Sequence, residues 1–578
     1  MRRWGIAAGV ALGAALGLTL GFVAWPIDPG HVAADFALAL GAVDAPIVAA
    51  PGAATLTLLP RPTVRLSNVQ FRDAGAAASV EAQSGEATLR LDRLLIGQFS
   101  PVQLSLQRAR VSINLDAARA ELKSLARPPF PRLSLQGGDV EVVSPSNHWG
   151  TRIEIGDALL TWPSANSGLR LNINGHWRSQ PVEATLELDA PLELTRGRAS
   201  PARIAVDAPL AQIRFAGDWS PNGGLADSRV FLGQISALIP SVERFSRWLG
   251  RAPERAPSTL EFEARASGDA RSLQLADARI VLGGQAFEGA LDLLKTPGGL
   301  SASGSLAADT LDLEPLIGPP PTLYDESGSW SNEHMLPAPS RKLDLDLRVS
   351  ATRVLRSGHA IENAAVSLSQ RAGRYSLKLL EAGYAHGSLS GEISVEDKQG
   401  VCETHLAIAL DNADFGGLLA EFGAPEFSGQ GAVKASIRAR GRSAAEIVAT
   451  ADGDGALEIA DGALGSVNFE EALRRGQRRP LDVARDMNAG ATRFASARGR
   501  IEISHGEARF IDAGTQAPGV SLALTGALDL IYRAWRAHLE ARQTSLDGQP
   551  TPDGAHMDFA LEGPWGAPVL APLSPPAD

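Results

Sequence analysis

Apolar and polar residues alternate with a period of two along most of the chain after residue 55. The clearest run extends from Leu343 to Val349, where a charged residue occupies every second position. The segment from Val433 to Arg438 shows the same pattern. A strand with one buried face and one solvated face alternates in this way, whereas a strand of a parallel sheet that is covered on both faces is apolar almost throughout. The pattern therefore predicts a mainly β protein built from antiparallel strands.

Glycine-containing segments between these runs predict turns. They are Gly137-Gly138, Gly283-Gly284, Leu389–Ile393, Leu524–Leu528 and Asp452–Gly455. Helical periodicity is rare along the chain. It occurs over residues 236–250, and again after Asn468, which can cap a helix that ends at Gly476. We expect these few short helices to cover the ends or edges of the sheet.

The segment from Ile6 to Ala24 has 19 residues and no charge, and at 1.5 Å per residue a helix of this length spans roughly 28 Å. It exceeds the apolar region of about 7 to 15 residues that is typical of a cleaved signal peptide, so we predict an uncleaved transmembrane helix. Arg2 and Arg3 precede the segment, which places the N-terminus in the cytoplasm and the rest of the chain outside it. The predicted anchor residues are Ile6, Val10, Leu12, Leu16, Leu18, Leu20, Phe22 and Val23.

Proline and serine are concentrated between residues 318 and 342, before the alternation resumes at Leu343. The sequence therefore predicts four segments. Residues 1–28 form a cytoplasmic tip with the transmembrane anchor, and 29–317 form an N-terminal β region outside the cytoplasm. Residues 318–342 form a linker, and 343–578 form a C-terminal β region.

Composition and charge argue against several classes of protein. The formal net charge of -11 disfavours a nucleic-acid partner, and a single cysteine, Cys402, rules out an intramolecular disulfide. The ten histidines are scattered singly, and none of the six lysines follows a glycine as a P-loop requires. We therefore expect no enzyme activity, no catalytic residue, no metal site and no cofactor.

Several sequence motifs are spread along nearly the whole chain. Near its start they are Leu58–Leu66, Glu86–Leu91 and Leu94–Gly97, and in its centre they are Leu311–Leu316 and Trp330-Ser331. The motifs of the C-terminal region are Gly455–Leu464, Asn468, Phe469, Val520–Leu530 and Leu561–Pro568. In type and in order, these motifs resemble the pattern of AsmA-family envelope proteins.

The resemblance implies an elongated, curled antiparallel β-sheet with an apolar groove, similar to the chorein-type bridge-like lipid-transfer proteins. It also implies an inner-membrane anchor, a periplasmic body, and a role in moving phospholipid between envelope membranes. An alternative is a periplasmic scaffold that helps outer-membrane proteins assemble, with those proteins or their assembly factors as partners. The expected partners otherwise are phospholipids and the inner membrane.

The cleanest alternating faces are the predicted lining of the groove. They are Leu343, Leu345, Leu347 and Val349, then Val433 and Ile437, then Leu522 and Leu524. The same faces would also suit the core of a closed β-sandwich, in which two apolar sheets pack against each other. The sequence leaves these two arrangements open.

Overall fold

The protein divides into two compact units, Met1–Gly284 (unit 1) and Gln285–Asp578 (unit 2). The computed structural model describes most of each unit. The described residues are 19–39, 53–72, 78–117, 131–145, 149–220, 229–250, 258–269, 271–317, 322–336, 339–356, 359–421, 427–465, 467–476, 490–545, 549, 551, 554–565 and 567–573.

Unit 1 contains a sheet of 14 strands in its described residues, and each strand pairs with the next one along the chain. The strands are β1 (Trp25–Ile27), β2 (Ala53–Thr57), β3 (Thr63–Arg72), β4 (Ala78–Leu89), β5 (Pro101–Asn114), β6 (Arg132–Ser144), β7 (Trp149–Thr161), β8 (Leu169–Trp177), β9 (Gln180–Leu188), β10 (Ser200–Ala208), β11 (Ala211–Trp219), β12 (Phe231–Ile239), β13 (Leu260–Gly268) and β14 (Ser272–Leu282). Its helices are α1 (Pro29–Ala39), α2 (Leu91–Leu94), α3 (Pro191–Thr195) and α4 (Val242–Trp248).

Unit 2 contains a sheet of 15 strands in its described residues, again paired in chain order. The strands are β15 (Gln285–Thr296), β16 (Gly299–Asp312), β17 (Leu343–Arg356), β18 (His359–Arg371), β19 (Arg374–Tyr384), β20 (Gly387–Lys398), β21 (Val401–Asp414), β22 (Phe427–Arg440), β23 (Asp452–Leu464), β24 (Thr492–Ser504), β25 (Glu507–Ala517), β26 (Val520–Asp529), β27 (Ala534–Gln543), β28 (His556–Pro564) and β29 (Val569–Pro572). Its helices are α5 (Glu314–Ile317), α6 (Phe415–Glu421), α7 (Ala444–Ala449) and α8 (Phe469–Gly476).

The prediction of a mainly β protein with few short helices is confirmed, but the sheets are not antiparallel throughout. Strands β5 and β6 pair in parallel, and so do β16 and β17. A parallel pair cannot be joined by a hairpin, so its connection has to return along the strands. Residues 313–342, which include the predicted linker, make this return between β16 and β17 inside unit 2.

Several predicted turns lie inside strands. Gly137 and Gly138 form an irregularity in β6, where a side chain at Gly138 would overlap the carbonyl oxygen of Ala109. Leu389–Ile393 lies in β20 and Leu524–Leu528 in β26, and the segment Asp452–Gly455 begins β23. In each segment the glycine is part of the ladder rather than a turn, because two backbones approach closely there. Gly283-Gly284 does form a turn, as predicted.

The two predicted helices differ in outcome. The helix expected over 236–250 begins only at Val242, because β12 continues to Ile239 and the hydroxyl of Ser241 caps the helix by accepting from the Arg244 amide. The helix after Asn468 is confirmed. The side chain of Asn468 accepts a hydrogen bond of 3.0 Å from the Glu471 amide, and the helix ends at Gly476.

The predicted transmembrane helix falls mostly outside the described residues, including Ile6, Val10, Leu12, Leu16 and Leu18. Leu20, Phe22 and Val23 are described, and their side chains are exposed. Across the described ranges, no helix is both long enough and apolar enough to cross a membrane.

Candidate functional site

The strands of unit 2 are paired so that apolar residues form continuous rows across the sheet. Residues paired directly across neighbouring strands project from the same face, so a row of paired residues maps one face of the sheet. One row crosses all 15 described strands without a polar or charged residue. It consists of Gly289, Leu306, Val349, Val366, Leu379, Gly391, Ile408, Ala435, Gly455, Ile501, Phe510, Gly526, Ala537, Leu561 and Leu570.

A second apolar row runs beside the first, two residues away along each strand at most positions. It consists of Leu291, Gly304, Leu347, Leu368, Leu377, Ile393, Leu406, Ile437, Gly453, Ile503, Ala508, Leu528, Trp535 and Gly563. We call the face that carries both rows the inner face of unit 2.

The opposite face of unit 2 is polar. The row that lies between the two apolar rows projects outward and consists of Arg348, Ser367, Lys378, Glu392, Ala407, Ser436, Asp454, Glu502, Arg509, Ala527, Arg536 and Glu562. Ion pairs such as Arg536–Asp529 at 3.0 Å lie among the exposed charges of unit 2. The sheet therefore has one apolar side and one water-compatible side.

Unit 1 also carries a continuous apolar row across its sheet. One of its rows crosses all 14 described strands and contains only apolar residues and glycine. It consists of Ile27, Ala54, Leu66, Gly85, Leu106, Leu135, Ala158, Ile173, Ala184, Val206, Ile213, Ala237, Phe262 and Ile280. Each unit by itself thus carries an uninterrupted apolar track.

The inner face of unit 2 is partly open to solvent, and this decides between a groove and a closed core. Leu377 is 42% exposed, and Leu406 and Ile408 are each 40% exposed. In a closed sandwich these side chains would be buried against a second sheet, because large apolar residues facing a core are seldom accessible. Here no opposing sheet of the described part of unit 2 covers them.

Further along the inner face, strands β22 to β29 surround an open apolar cavity of about 830 Å³. Its walls include Val433, Leu457, Ile501, Leu524 and Leu561. The volume lies within the range of roughly 300–1,000 Å³ that is common for sites that bind small molecules. The concave lining shows that the sheet curls around this space.

Helix α8 closes one side of the cavity. Phe469 and Leu473 of this helix are buried, and Phe469 packs edge-to-face on Phe559 of β28 with 5.5 Å between ring centroids. The strands at this side are therefore joined into a compact core, and the cavity opens away from it.

At another edge of the sheet, residues 322–336 lie across the ends of strands between β28 and β22; we call them the strap. The Trp330 indole donates a 2.8 Å hydrogen bond to the Leu530 carbonyl and packs edge-to-face on Trp565. The guanidinium of Arg533 lies 4.6 Å from the centre of the Tyr324 ring. The segment predicted to be a linker is therefore attached to unit 2 by aromatic contacts.

Helix α7 holds the other end of the strap. The backbones of His334 and Ser443 pair, and the Met335 amide donates to the Arg442 carbonyl at 2.9 Å. The carboxylate of Glu446 accepts hydrogen bonds from the amides of Arg442 and Ser443, which lowers its pKa from the ordinary value.

A few polar atoms are buried on the inner face. Among the described residues, the Tyr375 hydroxyl and the Thr515 hydroxyl are buried without a hydrogen-bond partner. Burial raises the pKa of Tyr375 to about 12, with a smaller contribution from Cys402. No cluster of histidine, cysteine or carboxylate side chains within the described ranges is arranged to hold a metal ion. The described lining of the cavity is mainly apolar, so the contacts that it offers are mainly hydrophobic.

The structure distributes the predicted groove residues over the inner face. Val433, Leu522 and Leu524 line the cavity, and Ile437 belongs to the second apolar row beside a small core around Ile503. The four residues of β17, which are Leu343, Leu345, Leu347 and Val349, are all half-buried. They lie at a distance from the cavity along the same sheet.

Sequence reasoning missed the exposed residues of β19 and β21 and the aromatic residues of the strap. The alternation of Leu406 and Ile408 with polar or small neighbours was visible in the sequence. Their exposure depends on what faces them, which a local pattern does not specify.

Comparison with known protein families matches residues 325–513 to the AsmA family. This segment contains the strap from Asp325 onward and strands β17 to β24, so it includes part of the cavity wall. Comparisons with curated proteins and with solved structures gave no match.

Proposed function

We propose that this chain, a member of the AsmA family through residues 325–513, binds phospholipid acyl chains on its apolar inner faces and conducts them between the membranes of the cell envelope. The observation that carries the proposal is the exposure of Leu377, Leu406 and Ile408 on the two adjacent apolar rows of the inner face. Large side chains left accessible in a contiguous patch are typical of a binding surface.

The energetics of lipid movement favour such a surface. Exposing an acyl chain to water costs about 0.8 kcal/mol per methylene, or on the order of 12 kcal/mol for a sixteen-carbon tail. A tail that moves from one apolar position to the next avoids most of this cost, while its headgroup remains in water beside the groove. Neither the binding nor the movement requires a catalytic residue, so we propose a function without enzyme activity.

The length of the rows suits movement as well as binding. With strands about 4.8 Å apart, the 15 strands of unit 2 extend over about 67 Å along the sheet. An acyl chain of one leaflet occupies about 15 Å, half of the bilayer's hydrocarbon thickness. The apolar row is therefore several acyl chains long, which exceeds what a single binding pocket needs.

We further propose that residues 6–24 anchor the chain in the inner membrane, with the N-terminus in the cytoplasm and both units in the periplasm. The uncharged segment and the two arginines before it support this orientation.

A photocrosslinking residue at Ile408 tests the proposal in living cells. Ile408 faces the groove, whereas its neighbour Ala407 lies in the outward row between Glu392 and Ser436. We expect a phospholipid adduct from position 408 and none from position 407. A stoichiometric protein adduct from position 408, without lipid, would instead support the scaffold for assembling outer-membrane proteins. Equal lipid adducts from both positions would refute a one-sided groove.

A further inference from the structure

The most exposed large apolar side chains of unit 1 lie together at one end of its first strands. In the described part of unit 1, Leu95 is 79% exposed, Ile96 64%, Phe22 61% and Leu91 57%. Other exposed apolar residues of this unit, such as Ile204 and Leu232 at 41%, are scattered along the strands. Single exposed residues are normal, but a cluster of the most exposed ones is typical of an interaction site.

Backbone hydrogen bonds show that three segments meet at this end. The amides of Leu58 and Leu59, in the turn between β2 and β3, both donate to the carbonyl of Gly21, at 3.0 and 2.8 Å. The Leu89 amide at the end of β4 donates to the Pro62 carbonyl at 2.8 Å. Helix α2 and the loop after it follow directly. We call the exposed side chains of these segments the apolar tip; they are Leu20, Phe22, Val23, Leu58, Leu91, Leu95 and Ile96.

Helix α2 and the loop after it, which contribute Leu91, Leu95 and Ile96 to the apolar tip, are amphipathic. Leu94 and Phe99 turn inward and pack on the core of unit 1, which fixes the loop on the sheet. The amide of Phe99 also donates to the Asp35 carboxylate of α1 at 2.8 Å. Leu91, Leu95 and Ile96 point away from that core. Their exposure therefore follows from how the loop is held.

Two features identify the partner as a phospholipid bilayer. The first is continuity, because the apolar tip includes the last residues of the uncharged segment 6–24. The second is charge, because Arg61, Arg90 and Arg93 are exposed beside the tip, in a chain whose net charge is -11, and of the three Arg90 pairs with Asp92 at 2.9 Å. Exposed apolar side chains bordered by arginine suit the boundary between anionic headgroups and acyl chains.

We propose that the apolar tip inserts into the interface of the membrane that holds residues 6–24 and acts as a second, folded membrane contact. The contact places the end of the apolar row of unit 1, where Ile27 and Ala54 lie, next to the lipid surface. The contact rests on the proposed membrane anchor at residues 6–24, but it requires no lipid on the inner face of unit 2, so it is independent of the proposed transfer.

An environment-sensitive fluorophore attached to a cysteine at position 95 tests the contact. The full chain with Cys402→Ser and Leu95→Cys would be reconstituted in vesicles of phosphatidylcholine and phosphatidylglycerol, with and without brominated acyl chains. The control is Glu183→Cys, which is exposed on a strand of the same unit. We expect bromine to reduce the fluorescence at position 95 about twofold and to leave position 183 nearly unchanged.

Two outcomes would overturn the proposal. If position 95 is not quenched, the tip does not enter the membrane interface. If positions 95 and 183 are quenched equally, the contact is nonspecific. We also expect stronger quenching at position 95 in vesicles that contain phosphatidylglycerol than in vesicles of phosphatidylcholine alone. The double variant Arg61→Gln, Arg93→Gln should abolish this difference, because it removes two arginines that would contact the anionic headgroups. A lipid adduct at Ile408 without quenching at position 95 would leave the proposed transfer intact and refute only the tip.

Discussion

At the scale of single residues, the inner face is formed by every second residue of each strand, and these residues are mostly apolar. Few polar atoms lie on that face, and the hydroxyl of Tyr375 shows how such an atom lowers the stability of the fold. Its side chain is 8% exposed and lies opposite Val395, which is fully buried. A buried hydroxyl without a hydrogen-bond partner has lost its hydrogen bonds to water and has formed none within the protein to replace them. Tyr375 is therefore a local source of instability in a surface otherwise made for hydrocarbon.

Tyr375→Phe should stabilise the protein by about 1 kcal/mol, because it removes an unpaired buried hydroxyl and keeps the ring. The effect should grow at high pH. The pKa of Tyr375 is about 12 in the folded protein and about 10 when exposed, so the wild type loses stability as the pH rises from about 10 to 12. The variant lacks this loss. Urea unfolding at pH 7 and pH 11 measures both effects, and a less stable variant at pH 7 would show that the hydroxyl has a partner.

At the scale of secondary-structure elements, the sequence predicted the type of most elements but not their pairing. The period of two identified β17 and β22, and a capping residue located α8. Gly138, Gly391 and Gly526 were misread as turns, because a glycine needed where two backbones approach closely looks the same in a sequence as a glycine that reverses the chain. The apolar rows depend on the register of every strand pair, and no local pattern encodes that register.

The strap illustrates the same limit. Trp330 bonds to Leu530 and packs on Trp565, which lie 200 or more positions away in the sequence. The prolines and serines of this segment predict a linker, but composition carries no information about such long-range contacts. The attachment of the strap to unit 2 could therefore not be predicted from the sequence.

Ser443→Ala should destabilise α7 by about 1 kcal/mol, because the Ser443 hydroxyl accepts a hydrogen bond of 3.2 Å from the Glu446 amide as the helix cap. The strap should loosen with it, since it pairs with Ser443. Hydrogen exchange should therefore accelerate over residues 330–336 and 443–450 and remain unchanged in β24. Ser428→Ala, an exposed serine of β22, is the matched control. Unchanged exchange over 330–336 would mean that the aromatic contacts alone hold the strap.

At the scale of the whole molecule, each unit has an apolar track along its sheet, and in unit 2 the opposite face is polar and charged. The net charge of -11 and the ion pairs of the outward row keep this large apolar surface compatible with water. If acyl chains move along such a track, as we propose, each of them has to pass every strand in turn. A single charged residue on the track should therefore slow lipid transfer along the whole track, whereas the same charged residue on the other face should leave lipid transfer unchanged.

Ile408→Asp tests this serial arrangement. Because Ile408 is 40% exposed, its replacement should leave the fold intact, whereas a carboxylate there faces any passing acyl chain and is costly to desolvate. We expect lipid transfer between vesicles to fall about tenfold or more, in line with a barrier of at least 1.4 kcal/mol. Ala407→Asp places the same charge on the outward row and should transfer lipid normally. If both variants transfer lipid equally well, the tails do not travel along this row, and the cavity would be a binding site rather than part of a path.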